Sequence, residues 1–254
     1  MKKNLFILLL SIIVSTTYAQ DAKQLLAETM EAMGGKTNFY NKGSVSYDYE
    51  YNDPNSGLHF VGKEMYHFDG ELSRANFTTH TMTAPKGGAV TEGYDGTNFW
   101  VNIDGQKTTS EEALGFARFL RKTNYYWFTM FFKLLDDGVN QEFTGTKTMN
   151  GKTYNIVKIT FGEKVGDAQD TYVLYINKET KLIDQFLFTI TAFGVTEPNL
   201  MRFDYETIDG IKIPTRRNYI KSNWDGEIIG TIPAITTWEN IQFGNVDRSV
   251  FIQK

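Results

Sequence analysis

Reversing dipeptides punctuate this chain. Asp69-Gly70, Asp95-Gly96, Asp104-Gly105, Asn150-Gly151 and Asp209-Gly210 each interrupt runs rich in β-branched and aromatic residues. An Asx-Gly step tolerates the positive φ angles of a tight turn, so such runs are expected to pair as antiparallel hairpins. Val45, Tyr47, Tyr49 and Tyr51 alternate with Ser46, Asp48 and Glu50, the pattern of a half-buried strand. Further strands are expected over 58–68, 71–82 and on from Phe99, with Asp104-Gly105 ending the last. Residues 141–148 pair with 152–161, 170–176 with 182–193, and 201–207 with 211–220. A final strand covers 226–243, bent at Pro233. Along 182–193, Leu187 and Phe193 share one face while Phe186, Phe188 and Ile190 share the other. Such a strand needs cover on both sides, from helices, from a facing wall of the same sheet, or from a ligand.

Two segments break the β pattern. Leu25, Leu26, Thr29, Met30 and Met33 recur at helical spacing over 22–33, and Gly34-Gly35 follows as a stop. Ser110 is the expected N-cap of a second helical region, with Glu111 and Glu112 in its first turn and Asp136-Asp137-Gly138 at its end. Lys122-Thr123-Asn124 is expected to split it in two. Within it, Tyr125 to Phe132 contains six aromatic residues among eight, and Met130 brings the apolar bulk to seven. A helix this apolar has no face to give to water and must be covered by sheet or by ligand. The expected fold class is mainly antiparallel β (α+β), one domain over 20–254 with a helical insertion at about 110–137.

The N-terminus carries its own pattern. Lys2 and Lys3 precede an apolar run from Leu5 to Val14, and Tyr18-Ala19 offers a cleavage site. This is expected to be a secretory signal peptide over 1–19, because the run falls short of the roughly 20 residues a spanning helix needs. The mature chain would begin at Gln20 and reside in the periplasm. The chain has no cysteine, which closes off disulfides, thiolate sites and a lipid-anchored cysteine. Removing Lys2 and Lys3 leaves a net charge of −6, which argues against nucleic acid as a partner. The mature chain shows no further apolar stretch of membrane-spanning length, and a monomer is expected.

Catalytic patterns are absent from the sequence. His59, His67 and His80 do not form an HExxH or His-x-His pair, so neither a metal site nor another cofactor is expected. The acidic turns lack calcium-loop spacing. No nucleophile elbow, Ser-x-x-Lys motif or P-loop occurs.

Several motifs recur in a familiar order: a Tyr94-Asp95-Gly96-Thr97-Asn98-Phe99-Trp100 hairpin, the aromatic helical insertion and a Tyr172–Phe188 hairpin turning at Asn177-Lys178-Glu179-Thr180-Lys181. A Tyr205-Glu206-Thr207-Ile208-Asp209-Gly210-Ile211-Lys212-Ile213-Pro214 step follows. In this order the chain resembles the periplasmic lipoprotein-carrier superfamily (LolA/LolB-like), and in particular a secreted branch from Gram-negative bacteria. The resemblance implies an unclosed, strongly curved β half-barrel with an N-terminal helix and a helical lid, holding an acyl chain or other apolar ligand. On that expectation Trp127, Phe128, Phe131 and Phe132 line the site from the lid, and Trp100 and Phe188 from the sheet. The other reading of each residue is plain core packing. Two further functions stay open: a carboxylate-based hydrolase with an open acidic cleft, and an envelope scaffold with a filled core.

Overall fold

The computed structural model describes residues 22–163, 165–166 and 169–253. The expected signal peptide lies outside them. Helix α1 covers residues 22–32, and Gly34 and Gly35 follow at positive φ. A short helix α2, Lys36–Asn41, comes next and was not expected from the sequence.

Six strands follow: β1 Ser44–Asp53, β2 Leu58–His67, β3 Leu72–His80, β4 Val90–Tyr94, β5 Phe99–Ile103 and β6 Gln106–Lys107. Helix α3 then runs Glu111–Thr129 and tightens into a 3-10 turn at Met130–Phe132. The remaining strands are β7 Val139–Met149, β8 Lys152–Phe161, β9 Tyr172–Asn177, β10 Ile183–Ile190, β11 Val195–Ile208, β12 Ile211–Lys221 and β13 Ala234–Phe243. Among the described residues these thirteen strands form one antiparallel ladder in the order β6-β5-β4-β3-β2-β1-β13-β12-β11-β10-β9-β8-β7. The order has two ends, so the sheet is not closed into a barrel. The fold is mainly antiparallel β with an N-terminal helix and a helical insertion, as the sequence led us to expect.

Local chemistry accounts for most of the turns. Asn150 and Gly151 adopt φ of 51° and 75°, and Met149 pairs directly with Lys152 across them. That is the two-residue turn whose twist matches the flanking strands. Asp104-Gly105 turns in the same way: it ends β5, as expected, and joins it to the short β6.

Three expectations are corrected. The helical insertion does not break at Lys122-Thr123-Asn124. Ala113, Ala117, Leu120, Arg121, Asn124, Tyr125 and Phe128 form one buried stripe at three- and four-residue spacing. Lys122 is exposed on the outer side of that unbroken helix. The last strand begins only at Ala234. Residues before it form a loop with a single bridge, Ser222 to Ile228, and Pro233 has no N–H to give a ladder. Phe193 shares no strand face with Leu187, because Thr191–Phe193 leave β10 as a 3-10 turn and Phe193 is 62% exposed.

The chain divides into two compact units. One comprises the described residues up to Met33, Phe131–Phe203 and Ile220–Gly230; the other comprises Gly34–Met130, Asp204–Tyr219 and the chain from Thr231 onward. In the first, Val157, Leu174, Phe186 and Met201 form a buried row across β8 to β11. The opposite face buries Tyr154, Tyr175, Leu187 and Leu200. Both faces are therefore apolar, as expected. The loop after β12 covers part of the second face: Lys147 lies over the Tyr175 ring and donates to the Asp225 carbonyl at 2.8 Å.

Candidate functional site

In the second unit the covered face of the sheet contains a row set by strand register: Tyr47, Glu64, Ala75, Glu92 and Val101 on β1 to β5. All five are fully buried. Two carboxylates at such positions need a partner, because an unpaired buried charge is costly. Helix α3 supplies it. Ser110 caps the helix by accepting the Ala113 amide, which starts the buried stripe that ends in the aromatic segment. Arg121, on that stripe, donates through Nη2 to Glu64 Oε1 at 2.8 Å and through Nη1 to Glu64 Oε2. Its Nε donates to Glu92 Oε1 at 2.8 Å, and Nη1 also reaches Ser73 Oγ at 3.3 Å. Asn124 adds a 2.8 Å bond to Glu64. Ala75 is the small residue between the two carboxylates in that row.

His80 borders this cluster. Its Nδ1 accepts the Thr83 amide, so Nε2 is the nitrogen left to carry a hydrogen. Nε2 lies 3.5 Å from Glu92 Oε2. Burial works to raise the Glu92 carboxyl, yet Arg121 and His80 outweigh it and hold the group below the ordinary carboxylate range. The same two carboxylates hold Arg121 well above its ordinary value, against burial. Glu64 and Glu92 thus grip a helix inside a closed cluster; they are not a pair facing an open cleft. Among the described residues no three His, Asp or Glu side chains converge as metal ligands.

Toward the end of α3 the character changes from ionic to aromatic. Phe128 stacks on Tyr47 at 5.1 Å with planes 12° apart, and meets Trp238 of β13 at 5.1 Å. Tyr47 and Tyr66 share a 3.0 Å hydroxyl hydrogen bond beside it. Burial is the main cause that holds both phenols protonated well above their ordinary value. Trp127 lies over Arg217 of β12, whose guanidinium carbon is 5.4 Å from its ring and 3.9 Å from that of Trp238. Arg217 is only 6% exposed and its Nε has no hydrogen-bond acceptor. Burial pushes its pKa down to about 10. Two cation–π contacts return about 2 kcal/mol each when desolvated, against several kcal/mol for burying an ion.

The six aromatic residues expected at a ligand site fall in different places. Trp127 and Phe128 meet at the aromatic end of α3, as just described. Trp100 belongs to the other face of the second unit: it pairs with Gly93, while its neighbour Val101 faces α3 with Glu92. Its indole donates to the Phe251 carbonyl at 2.8 Å. Phe131, Phe132 and Phe188 belong to the first unit, and all three are buried. There Phe131 meets Phe186 and Phe203 edge-on, and Phe188 packs on Phe186 at 5.2 Å. The residues that the sequence did not announce are Glu64, Glu92, Arg121, His80 and Arg217. The available signal was a charged residue at an inward position of an otherwise apolar alternation, as Glu64 is between Gly62 and Tyr66.

This open antiparallel ladder, with an amphipathic helix seated on one face, is a LolA-like fold. The chain aligns with a LolA superfamily protein from Nitrosomonas europaea at TM-score 0.52 and 12% identity, over 91% of this chain and 97% of the other. A DUF1329 family protein from Desulfovibrio piger aligns at TM-score 0.54 and 14% identity, over 91% and 97%. A domain described as that of an outer membrane lipoprotein-sorting protein from Vibrio parahaemolyticus aligns at TM-score 0.51 and 7% identity, over 92% and 97%. Identities this low establish the fold alone. The chain belongs to DUF6503, a family of unknown function whose model matches residues 2–203. No curated protein matches it in sequence.

Proposed function

We propose that this protein is an exported, periplasmic binding protein of carrier type, which holds an acyl chain or similar apolar ligand against the aromatic end of α3. The observation that carries this reading is the division of labour along one helix. Its middle is tied to the sheet by Arg121 and Asn124, while its end rests on the rings of Tyr47, Tyr66 and Trp238. Aromatic contacts are less directional than the ionic ones, so that end can part from the sheet and admit a chain while the middle stays fixed. Burying an acyl chain is worth about 0.8 kcal/mol per methylene, enough to bind without a dedicated polar anchor. The LolA-like fold supports the same reading, and a cleavable leader over 1–19 would deliver the mature chain to the envelope. In this proposal the protein works as a monomer without cofactor, Trp127 and Phe128 contribute apolar surface to the site, and residues 20–254 act as one domain.

Native mass spectrometry of protein purified from its own periplasm, with lipid extraction, is the direct test. A co-purifying amphiphile and uptake of a fluorescent fatty acid are expected. Recovery of neither would sink the proposal. Replacing Trp127 by Ala should weaken uptake in protein that remains folded; unchanged uptake would remove it from the mechanism.

A further inference from the structure

The second unit buries two guanidinium groups and treats them in opposite ways. Arg121 is met by two carboxylates and a hydroxyl. Arg217 is met by rings. Its Nε is buried without an acceptor, and the indole Nε1 of Trp238, whose ring it overlies, is buried without one as well. Among the described residues no carboxylate pairs with Arg217, and Glu64 and Glu92 are already committed to Arg121.

A cation without a counter-charge and an indole N–H without an acceptor are two unmet demands of the same sign at one place. An oxyanion meets both, since a guanidinium edge matches a carboxylate or phosphate in geometry and charge. The walls restrict what can carry that oxyanion. Trp127, Phe128, Tyr47 and Trp238 surround the position with apolar ring surface. A free hydrated anion gains nothing from such walls, whereas an anion at the end of a hydrocarbon chain gains by burying the chain. We propose that Arg217 receives the carboxylate or phosphate headgroup of an acidic amphiphile, with Trp238 Nε1 as a second donor. This rests on the apolar-ligand reading above and adds the headgroup chemistry to it.

The test compares palmitate and cetyl phosphate with cetyl alcohol, which has the same tail and no charge, and with inorganic phosphate, which has no tail. The native protein should bind the two acidic amphiphiles about tenfold or more tighter than the alcohol, the expected worth of a charge-assisted hydrogen bond. In Arg217→Gln that preference should vanish while alcohol binding persists, and Arg217→Lys should retain part of it. Equal affinity of the native protein for acid and alcohol would overturn the headgroup role and leave the apolar-ligand reading standing. Inorganic phosphate binding as tightly as cetyl phosphate would overturn the amphiphile. Failure of all the amphiphiles would defeat the apolar-ligand reading and this proposal with it. If Arg217→Gln does not fold, the NMR signal of the Arg217 Nε–H in the native protein decides. It should shift with palmitate and not with cetyl alcohol; a signal unmoved by palmitate, or moved alike by both, overturns the proposal.

Discussion

Arg121 reaches from the middle of α3 to grip both oxygens of Glu64 on β2, a residue 57 positions earlier in the chain. A third nitrogen of the same guanidinium holds Glu92 on β4. One side chain therefore fixes the helix against two strands through charge-assisted, partly bidentate hydrogen bonds.

Arg121→Met should cost about 3–5 kcal/mol, because it leaves two carboxylates buried without a counter-charge. Adding Glu64→Gln and Glu92→Gln to that variant should recover part of the loss, since neutral amides are cheaper to bury than charges. Urea unfolding of the single and triple variants checks both statements. A triple variant less stable than the single one would contradict the charge argument.

Glu92 makes this stability depend on acid. Its carboxyl is held below the ordinary value of 4.5 in the folded protein. A group depressed in this way contributes stability above its unfolded pKa, and the contribution is lost as pH falls through the lower folded value. The stability gap between the native protein and Glu92→Gln should therefore be widest near neutral pH and shrink on the acid side. Unfolding curves across that range measure it, and a gap independent of pH would refute it.

Phe128→Ala removes a ring buried against Tyr47 and Trp238. A loss of about 3–5 kcal/mol is expected for truncating such a ring. The change should also admit water to Trp238 and move its fluorescence to the red. Unchanged emission, judged against a Trp127→Phe background, would place the vacated space elsewhere.

Gly93 lets the Trp100 indole lie across its strand. A Cβ added there would fall well inside any real contact distance of the Trp100 ring. Gly93→Ala should displace the indole, break its bond to the Phe251 carbonyl and cost about 1–3 kcal/mol by overpacking. Thermal melts measure the loss, and combining the change with Trp100→Phe should give part of it back.

Local signals made much of the fold legible. Met149 faces Lys152 because Asn150-Gly151 can hold two positive φ angles, which needs no information from the rest of the chain. Ser110 starts α3 by a bond to a residue three positions away. Thr123 and its neighbours misled because polarity at 122–124 reads as a break, although Asn124 points its amide at a carboxylate on β2. The aromatic run was equally legible as a segment that must be covered. Its partners were not, because Tyr47 and Trp238 reach Phe128 from strands far away along the chain.

By itself, the sequence determined the alternation of strands and turns, the aromatic end of the helix and the fold class that these imply. All of these follow from interactions within a few residues, where propensity and periodicity act. Only the tertiary structure decided what happens to the charges. Glu64, Glu92 and Arg121 are ordinary surface residue types until strand register and the seating of α3 bring them together out of water. Arg217 differs from Arg121 only in what surrounds it, two indoles in place of two carboxylates. The cost of burying a charge is a property of the whole environment, so it cannot be read from a residue and its neighbours in the chain.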